Sequence, residues 1–266
     1  MISSPWPDLM YSYRPTRGDV KREAEVLLEN KIWFSTPDQF NDPFELQPHF
    51  HFAPSYQPEE SVINAFTQQL PNGLRDLVEA GIRSRFQDVS ARAAMEQDVR
   101  AELLQSLGRT SIACFAESDL QIRMWSYYAS SHKGVCFGFN FDEPWICGAM
   151  WIGPEKVVYQ PEYPAIQLVA VNDKHPDADA RMKALLTKAE EWSGEREWRC
   201  LRPDTPSGHQ AFPVGSLKKL VFGARIEREH REAMLSLVKQ RSAPVEIFQA
   251  RVAPDRFELT LERVKV

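Results

Sequence analysis

Cysteine is scarce and scattered in this sequence. The 266-residue chain holds four, Cys114, Cys136, Cys147 and Cys200, and no two of them form a CxxC pair. That spacing argues against a zinc ribbon or a disulfide framework and fits reduced thiols in a cytoplasm. Three of the four lie in apolar runs, where cysteine is usually a small buried hydrophobe. Long hydrophobic stretches are missing too. The longest, around residues 145–152, is far short of the roughly 20 residues a bilayer needs, so no membrane span is expected. Residues 1–15 carry neither a basic leader nor an apolar core, so no secretory signal is expected. The chain contains no GxGxxG, no Walker-type phosphate loop, no nucleophile elbow and no HExxH, which counts against standard dinucleotide folds, nucleotide triphosphatases and common hydrolases.

Charge is nearly balanced: 32 Lys and Arg against 37 Asp and Glu leave a net of −5, which speaks against a globally basic nucleic-acid binder and leaves a local basic patch open. The 43% hydrophobic and 26% charged fractions are those of a globular protein and exclude general disorder. No repeat, low-complexity tract or Gly/Ser linker divides the chain.

Periodicity predicts strands at 11–14, 32–35, 111–116, 135–139, 156–159, 197–201 and 220–223, with two more near 245–249 and 256–264. Helical spacing predicts helices from Asp19 to about Asn30 and over 58–70, 73–86, 90–107, 119–131, 177–192 and 227–240. Strands alternating with helices of unequal length indicate a mixed α+β fold rather than a regular doubly wound one. We read residues 1–266 as a single domain with a helical insertion at about 55–108.

Three clusters stand out. In the run 124–134, Trp125, Tyr128 and His132 are spaced i, i+3 and i+7, so a helix puts them on one face, with Gly134 as its C-terminal cap. Such a face either packs on the sheet or forms an aromatic wall for a flat heterocycle, with Ser126 and Lys133 adding polar reach. In the second cluster, Phe40 and Phe44 bracket Asn41-Asp42-Pro43, which reads either as a solvent loop or as an anchored turn presenting Asn41 and Asp42 to a ligand. In the third, an extended segment puts Glu195, Glu197 and Arg199 on one face and Arg196 and Trp198 on the other. Two carboxylates so close raise one pKa unless Arg199 or another cation compensates. His49 and His51 also share a strand face, but no third ligand follows at metal-site spacing, so no metal is expected.

Along Tyr11–Arg14, Ile32–Ser35, Phe40–Glu45, Cys114–Glu117, Met124–Phe139, Glu195–Arg199 and Lys218–Gly223, the sequence resembles the bacterial family known as domain of unknown function 2971. Residues 55–108 carry no such likeness, and the family name implies no activity. More distantly, the order of residue types is similar to that of ADP-ribosyltransferases. These have a small split sheet with an Arg, His or Tyr on the first strand, here Tyr13 and Arg14, and a Glu-x-Glu on a late strand, here Glu195 and Glu197, so the likeness implies a small mixed or split sheet and an ADP-ribosyltransferase-like core. The stretch from Glu25 to Ser35 resembles the opening of the DNA-modifying members. No clear Ser-Thr-Ser strand motif precedes the glutamates.

This resemblance implies an enzyme that cleaves NAD, without a metal, and passes ADP-ribose to a macromolecular acceptor, protein or nucleic acid. The implied setting is a toxin or phage-defence effector in the cytoplasm, with a partner or antitoxin protein as companion. Glu197 would accept the ribose 2′-hydroxyl and stabilise the oxocarbenium-like state, and Glu195 would position or deprotonate the acceptor. Arg14 would meet the pyrophosphate, and Tyr13, Trp125 or Tyr128 would stack on a ring. Ser35, Asn41, Asp42, Ser126, His132, Lys133 and Arg199 complete the implied binding set. The competing readings are a non-catalytic nucleotide- or protein-binding module and a metal-independent RNase toxin.

Overall fold

The computed structural model describes residues 7–16, 18–52, 60–142, 152–168 and 178–265. The first part runs β1 (Met10–Arg14), α1 (Lys21–Leu27), β2 (Lys31–Phe34), β3 (His49–Phe52), α2 (Glu60–Thr67), α3 (Asn72–Gln87) and α4 (Val89–Gly108). The middle runs β4 (Ser111–Ala116), α5 (Ile122–Tyr128), β5 (Val135–Phe139), β6 (Ile152–Lys156), β7 (Val158–Gln160), β8 (Ala165–Leu168), α6 (Ala178–Leu186) and β9 (Thr187–Ala189). The last part runs β10 (Glu197–Arg202), β11 (Gly208–Ala211), β12 (Leu217–Phe222), α7 (Arg228–Gln240), β13 (Glu246–Val252) and β14 (Leu259–Arg263).

These elements form two compact units, one of Met1–Gln39, Thr110–Val157 and Glu190–Val266, the other of Phe40–Arg109 and Val158–Ala189. The first is built on an eight-stranded sheet in the order β14-β13-β12-β5-β1-β4-β10-β6, antiparallel except where β12 runs parallel to β13. The α+β class stands, with a mixed sheet larger than the small one expected. Every residue of β5 is buried, as the unbroken apolar run Val-Cys-Phe-Gly-Phe requires of a central strand covered on both faces. One face carries Met10, Phe115, Phe137, Phe139, Leu220 and Phe222, packed with Val26 and Leu27 of α1 and Met234 of α7. The other carries Tyr13, Ala116, Cys136 and Val221 against Trp125 of α5 and Ala129.

The sheet opens between β1 and β4. Along its whole length β1 pairs with β5, but it meets β4 only at Tyr11 and Ala116. Pro15 follows Arg14, and proline has no N–H to continue a ladder. On β4, Ile112 pairs with Leu201 of β10 on one side. On its other side, which β1 has left, Ser35 is bridged by two backbone hydrogen bonds of 2.9 and 2.8 Å. Between Arg14 and Ser35 the first unit therefore has a wedge in its sheet. A separate ribbon of β2 and β11, with Trp33 opposite His209, continues from it.

The second unit holds α2–α4, where helices were expected, with the parallel pairs β3–β8 and β7–β9. Several boundaries differ from expectation. The strand read over 156–159 divides at Val157, whose N–H is taken by the Glu197 carbonyl at 3.0 Å. The helix read over 177–192 gives way at Leu186 to β9 and a 3-10 segment, Glu190–Glu195. The helix read over 119–131 stops at Tyr128, because Ser130, Ser131 and His132 take left-handed backbone with φ of 47°, 54° and 69°. Gly134 still donates to the Ala129 carbonyl at 2.8 Å, but the left-handed turn precedes it. Cys136 and Cys200 are buried whereas Cys114 is exposed, and Cys147 lies outside the described residues. No described helix is long and apolar enough to cross a membrane.

Candidate functional site

The left-handed turn after α5 swings His132 back over Trp125, so the two rings lie nearly parallel, 14° apart with centroids at 6.3 Å. Trp125 is fully buried, its Nε1 donates to the Asp119 carbonyl at 2.7 Å, and Tyr13 meets it edge-on at 5.2 Å. The Tyr13 hydroxyl donates to the Ser118 carbonyl at 2.7 Å, and burial, then the neighbouring Cys136 thiol, push its pKa well up. Ser126 Oγ donates to the Ile122 carbonyl and lies 3.2 Å from His132 Nε2. Of the two readings of this run, a packed aromatic face describes Trp125, on which Tyr13 of β1 packs. Lys133 stays exposed and pairs with Glu227 at 3.1 Å.

Burial, then the Arg225 charge, holds the His132 pKa below the ordinary imidazole value, and its Nδ1 is buried with no hydrogen-bond partner among the described residues. A histidine whose pKa is lower folded than unfolded makes the unfolded chain bind the extra proton. Its contribution to stability is therefore intact above the unfolded value of about 6.5 and is lost as pH falls toward the folded one. Denaturant unfolding of wild type and His132→Gln between pH 7 and 5 is expected to show a shallower loss of stability in the variant; parallel curves would refute this.

Beyond the turn, the Tyr128 hydroxyl donates to Glu195 Oε1 at 2.9 Å. Glu195 does not take part in the alternation of β10: it ends the 3-10 segment, and Arg196 then turns left-handed at φ 47°. Glu197 and Arg199 do share a face. Arg199, wholly buried, donates from Nε to Glu197 Oε1 at 2.7 Å and from an Nη to Oε2 at 3.3 Å. The compensating cation that paired acids call for is thus Arg199, in a two-pronged ion pair.

Register decides which residues meet. Tyr11 stands opposite Ala116, which stands opposite Glu197, so these side chains leave one face, and by alternation Tyr13 and Arg199 leave the same face. Arg14 leaves the other with Ser12, whose partner is Phe137. The expected gathering of Arg14 with Glu197 does not occur. Asn41 and Asp42 belong to the second unit. There Asp42 Oδ1 caps the Phe44 N–H at 2.9 Å, its Oδ2 is buried without a hydrogen bond, and Asn41 is exposed. Phe44 is 63% exposed and so anchors nothing, whereas Glu45 of the same turn forms a buried ion pair with Lys188 at 3.1 Å.

The face that carries Arg14 holds a cavity of about 640 Å³ in the first unit. Its lining includes Arg14 and Phe137 from the sheet, Pro15 just after β1, and Arg22, Glu23, Glu25 and Val26 from α1. Lys31, Trp33 and Ser35 face it at alternate positions of β2 and its extension, and Gln39 and His209 complete it. Of the residues implied by resemblance, Arg14 and Ser35 are here. Burial lowers the Arg14 pKa, and among the described residues no carboxylate pairs with it or with Arg22. Burial also raises the pKa of Glu23, whose carboxylate lies 3.5 Å from His230. Among the described residues no group of three His, Cys, Asp or Glu is placed to hold a metal.

Residues 124–200 match the model of the family described as protein of unknown function, DUF2971. The resemblance read from the sequence therefore holds over that stretch. No curated protein and no solved structure matches the chain. The DUF2971 segment contains the Trp125–His132 turn and the Glu197–Arg199 pair, whereas of the cavity lining named above it contains only Phe137. Arg22, Lys31, Trp33 and His209 were not singled out from the sequence. The period-two spacing of Lys31, Trp33 and Ser35 carried a readable signal of one shared face; His209, on an unforeseen strand, carried none.

Proposed function

We propose that the protein binds NAD in the Arg14 cavity and acts on it as an ADP-ribosyltransferase-like enzyme, with a macromolecular acceptor, in a toxin or phage-defence setting. One observation carries the reading: a guanidinium desolvated by burial, Arg14, lines a cavity beside Arg22, and among the described residues no carboxylate forms an ion pair with either, Glu23 acting on Arg14 through its charge alone. Withdrawing such a cation from water costs several kcal/mol unless an anion compensates. A pyrophosphate is the anion whose oxygens match a guanidinium two at a time. Lys31, paired with Glu29 at 2.8 Å, lines the same cavity, and Trp33, 38% exposed, offers a flat face for a ring. The opening of the sheet at Arg14 and Ser35 supports the same reading, and the volume suits a ligand of this size.

Calorimetric titration with NAD tests the binding. Arg14→Ala is expected to raise Kd about 10–150-fold, the equivalent of a lost charge-assisted hydrogen bond of about 1.5–3 kcal/mol. The unliganded variant should lose little stability, because the lost attraction to Glu23 is offset by relief of burial and of the repulsion from Arg22. Equal affinities in the two proteins would dismiss the cavity as the site.

The second reading, a non-catalytic nucleotide-binding module working with a partner protein, is favoured by Glu197 being tied to Arg199 on the face opposite Arg14. It predicts stabilisation by NAD of about 2.7 kcal/mol at a hundredfold excess over Kd, with no nicotinamide released.

A further inference from the structure

The first unit brings a histidine from β11 against a carboxylate from α1, 184 residues apart in sequence: His209 Nε2 lies 2.7 Å from Glu25 Oε2. Both line the cavity that holds Arg14 and Ser35. The imidazole is set edge-on to Trp33, its neighbour across the β2–β11 ribbon, at 5.0 Å. A carboxylate bonded to one ring nitrogen fixes the tautomer, so Nε2 carries the proton and Nδ1 keeps its lone pair. Nδ1 makes no hydrogen bond among the described residues, and the side chain is 35% exposed. Besides Glu25, the charged groups around His209 are Glu29, which follows α1, and Lys31 of β2, itself held by Glu29 at 2.8 Å.

We propose that His209 is the catalytic base of this cavity and Glu25 its positioning residue, a proposal that rests on NAD being the ligand. The incoming hydroxyl, of water or of an acceptor, gives its proton to His209 Nδ1 as its oxygen bonds to the ribose C1′. The bond from C1′ to the nicotinamide nitrogen breaks with its electron pair passing to that nitrogen, so nicotinamide leaves neutral and needs no proton. The imidazolium that forms is stabilised by Glu25, and no oxidant or further reactant enters. This assignment moves the work of activating the acceptor from Glu195, which Tyr128 engages elsewhere in the unit, to a pair that shares the cavity with Arg14.

The test measures NAD binding by calorimetry and nicotinamide release by chromatography on wild type, His209→Gln and Glu25→Gln. His209→Gln is expected to slow release on the order of 10²–10⁴-fold, the usual contribution of a general base, while Kd changes less than tenfold. It should also abolish the acid limb of the pH–rate profile. Glu25→Gln should lower the rate while Kd changes less than tenfold, and Glu25→Asp, which returns a carboxylate, should recover part of it; a purely structural defect would not be rescued in this way. If wild type binds NAD and releases nothing, or if His209→Gln keeps both rate and profile, the base assignment is overturned and NAD binding stands. If wild type does not bind NAD, the binding reading falls and the assignment falls with it.

Discussion

Replacing Arg199 with methionine is expected to destabilise the protein by about 3–5 kcal/mol, the cost of breaking a buried ion pair by removing one partner. Arg199 is wholly buried and Glu197 4% exposed, so water cannot take over the lost interaction. Both side chains leave the same face of β10, two residues apart, and two hydrogen bonds fix their relative orientation. Against a total stability of about 5–15 kcal/mol, a loss of this size is a large part of the whole. The double variant Glu197→Leu/Arg199→Met should recover much of it, because a buried pair exchanged for apolar residues of similar volume is often close to neutral. Denaturant unfolding of the two variants checks both claims. A single variant within about 1 kcal/mol of wild type, below the range for a broken buried pair, would mean that the pair carries little.

Alanine at Gly134 or at Gly223 is expected to cost at least about 3 kcal/mol, the upper end for overpacked interiors. A Cβ on Gly134 would stand 2.1 Å from the Arg14 carbonyl oxygen, and one on Gly223 would stand 2.2 Å from that of His132. Both obstacles are backbone, which cannot swing aside as a side-chain tip does. The two sites are joined, since Gly223 N–H donates to the Gly134 carbonyl at 2.9 Å and Arg225 N–H to that of His132 at 2.9 Å. The clash at Gly134 is with β1 and that at Gly223 with the turn leading into β5, so both press on the start of β5 and the double variant should depart from the sum. Gly134→Ala should also weaken NAD binding, because the atom it displaces belongs to Arg14. Thermal unfolding of the three variants decides the matter, and a Gly134→Ala protein as stable as wild type would contradict it.

Much of the fold was readable. Strands β4 and β5 have the limits their apolar runs indicate, and α7 begins within a residue of its expected start. Central strands buried on both faces leave a strong signal, and amphipathic helices leave another. What escaped was short or irregular. The two four-residue strands β8 and β11 have no distinctive pattern, and the left-handed run Ser130–His132 carries no glycine to announce it. The helix after Gln121 was read too long because its residue types still fit helical spacing where the backbone has already turned.

For the candidate site the division is sharper. Sequence determined which residues share a face within one strand: Glu197 with Arg199, Lys31 with Trp33, Tyr11 with Tyr13, because side chains alternate along any extended segment. It also determined where β1 must end, since Pro15 has no donor to extend the ladder. Only the tertiary structure decided which faces coincide. A shift of one residue between neighbouring strands turns every side chain to the opposite side, and that register is set by pairings between distant segments. The Tyr11–Ala116–Glu197 register sends Arg14 away from the paired acids. The docking of β11 on β2 carries His209 to Glu25, a meeting that no local pattern encodes.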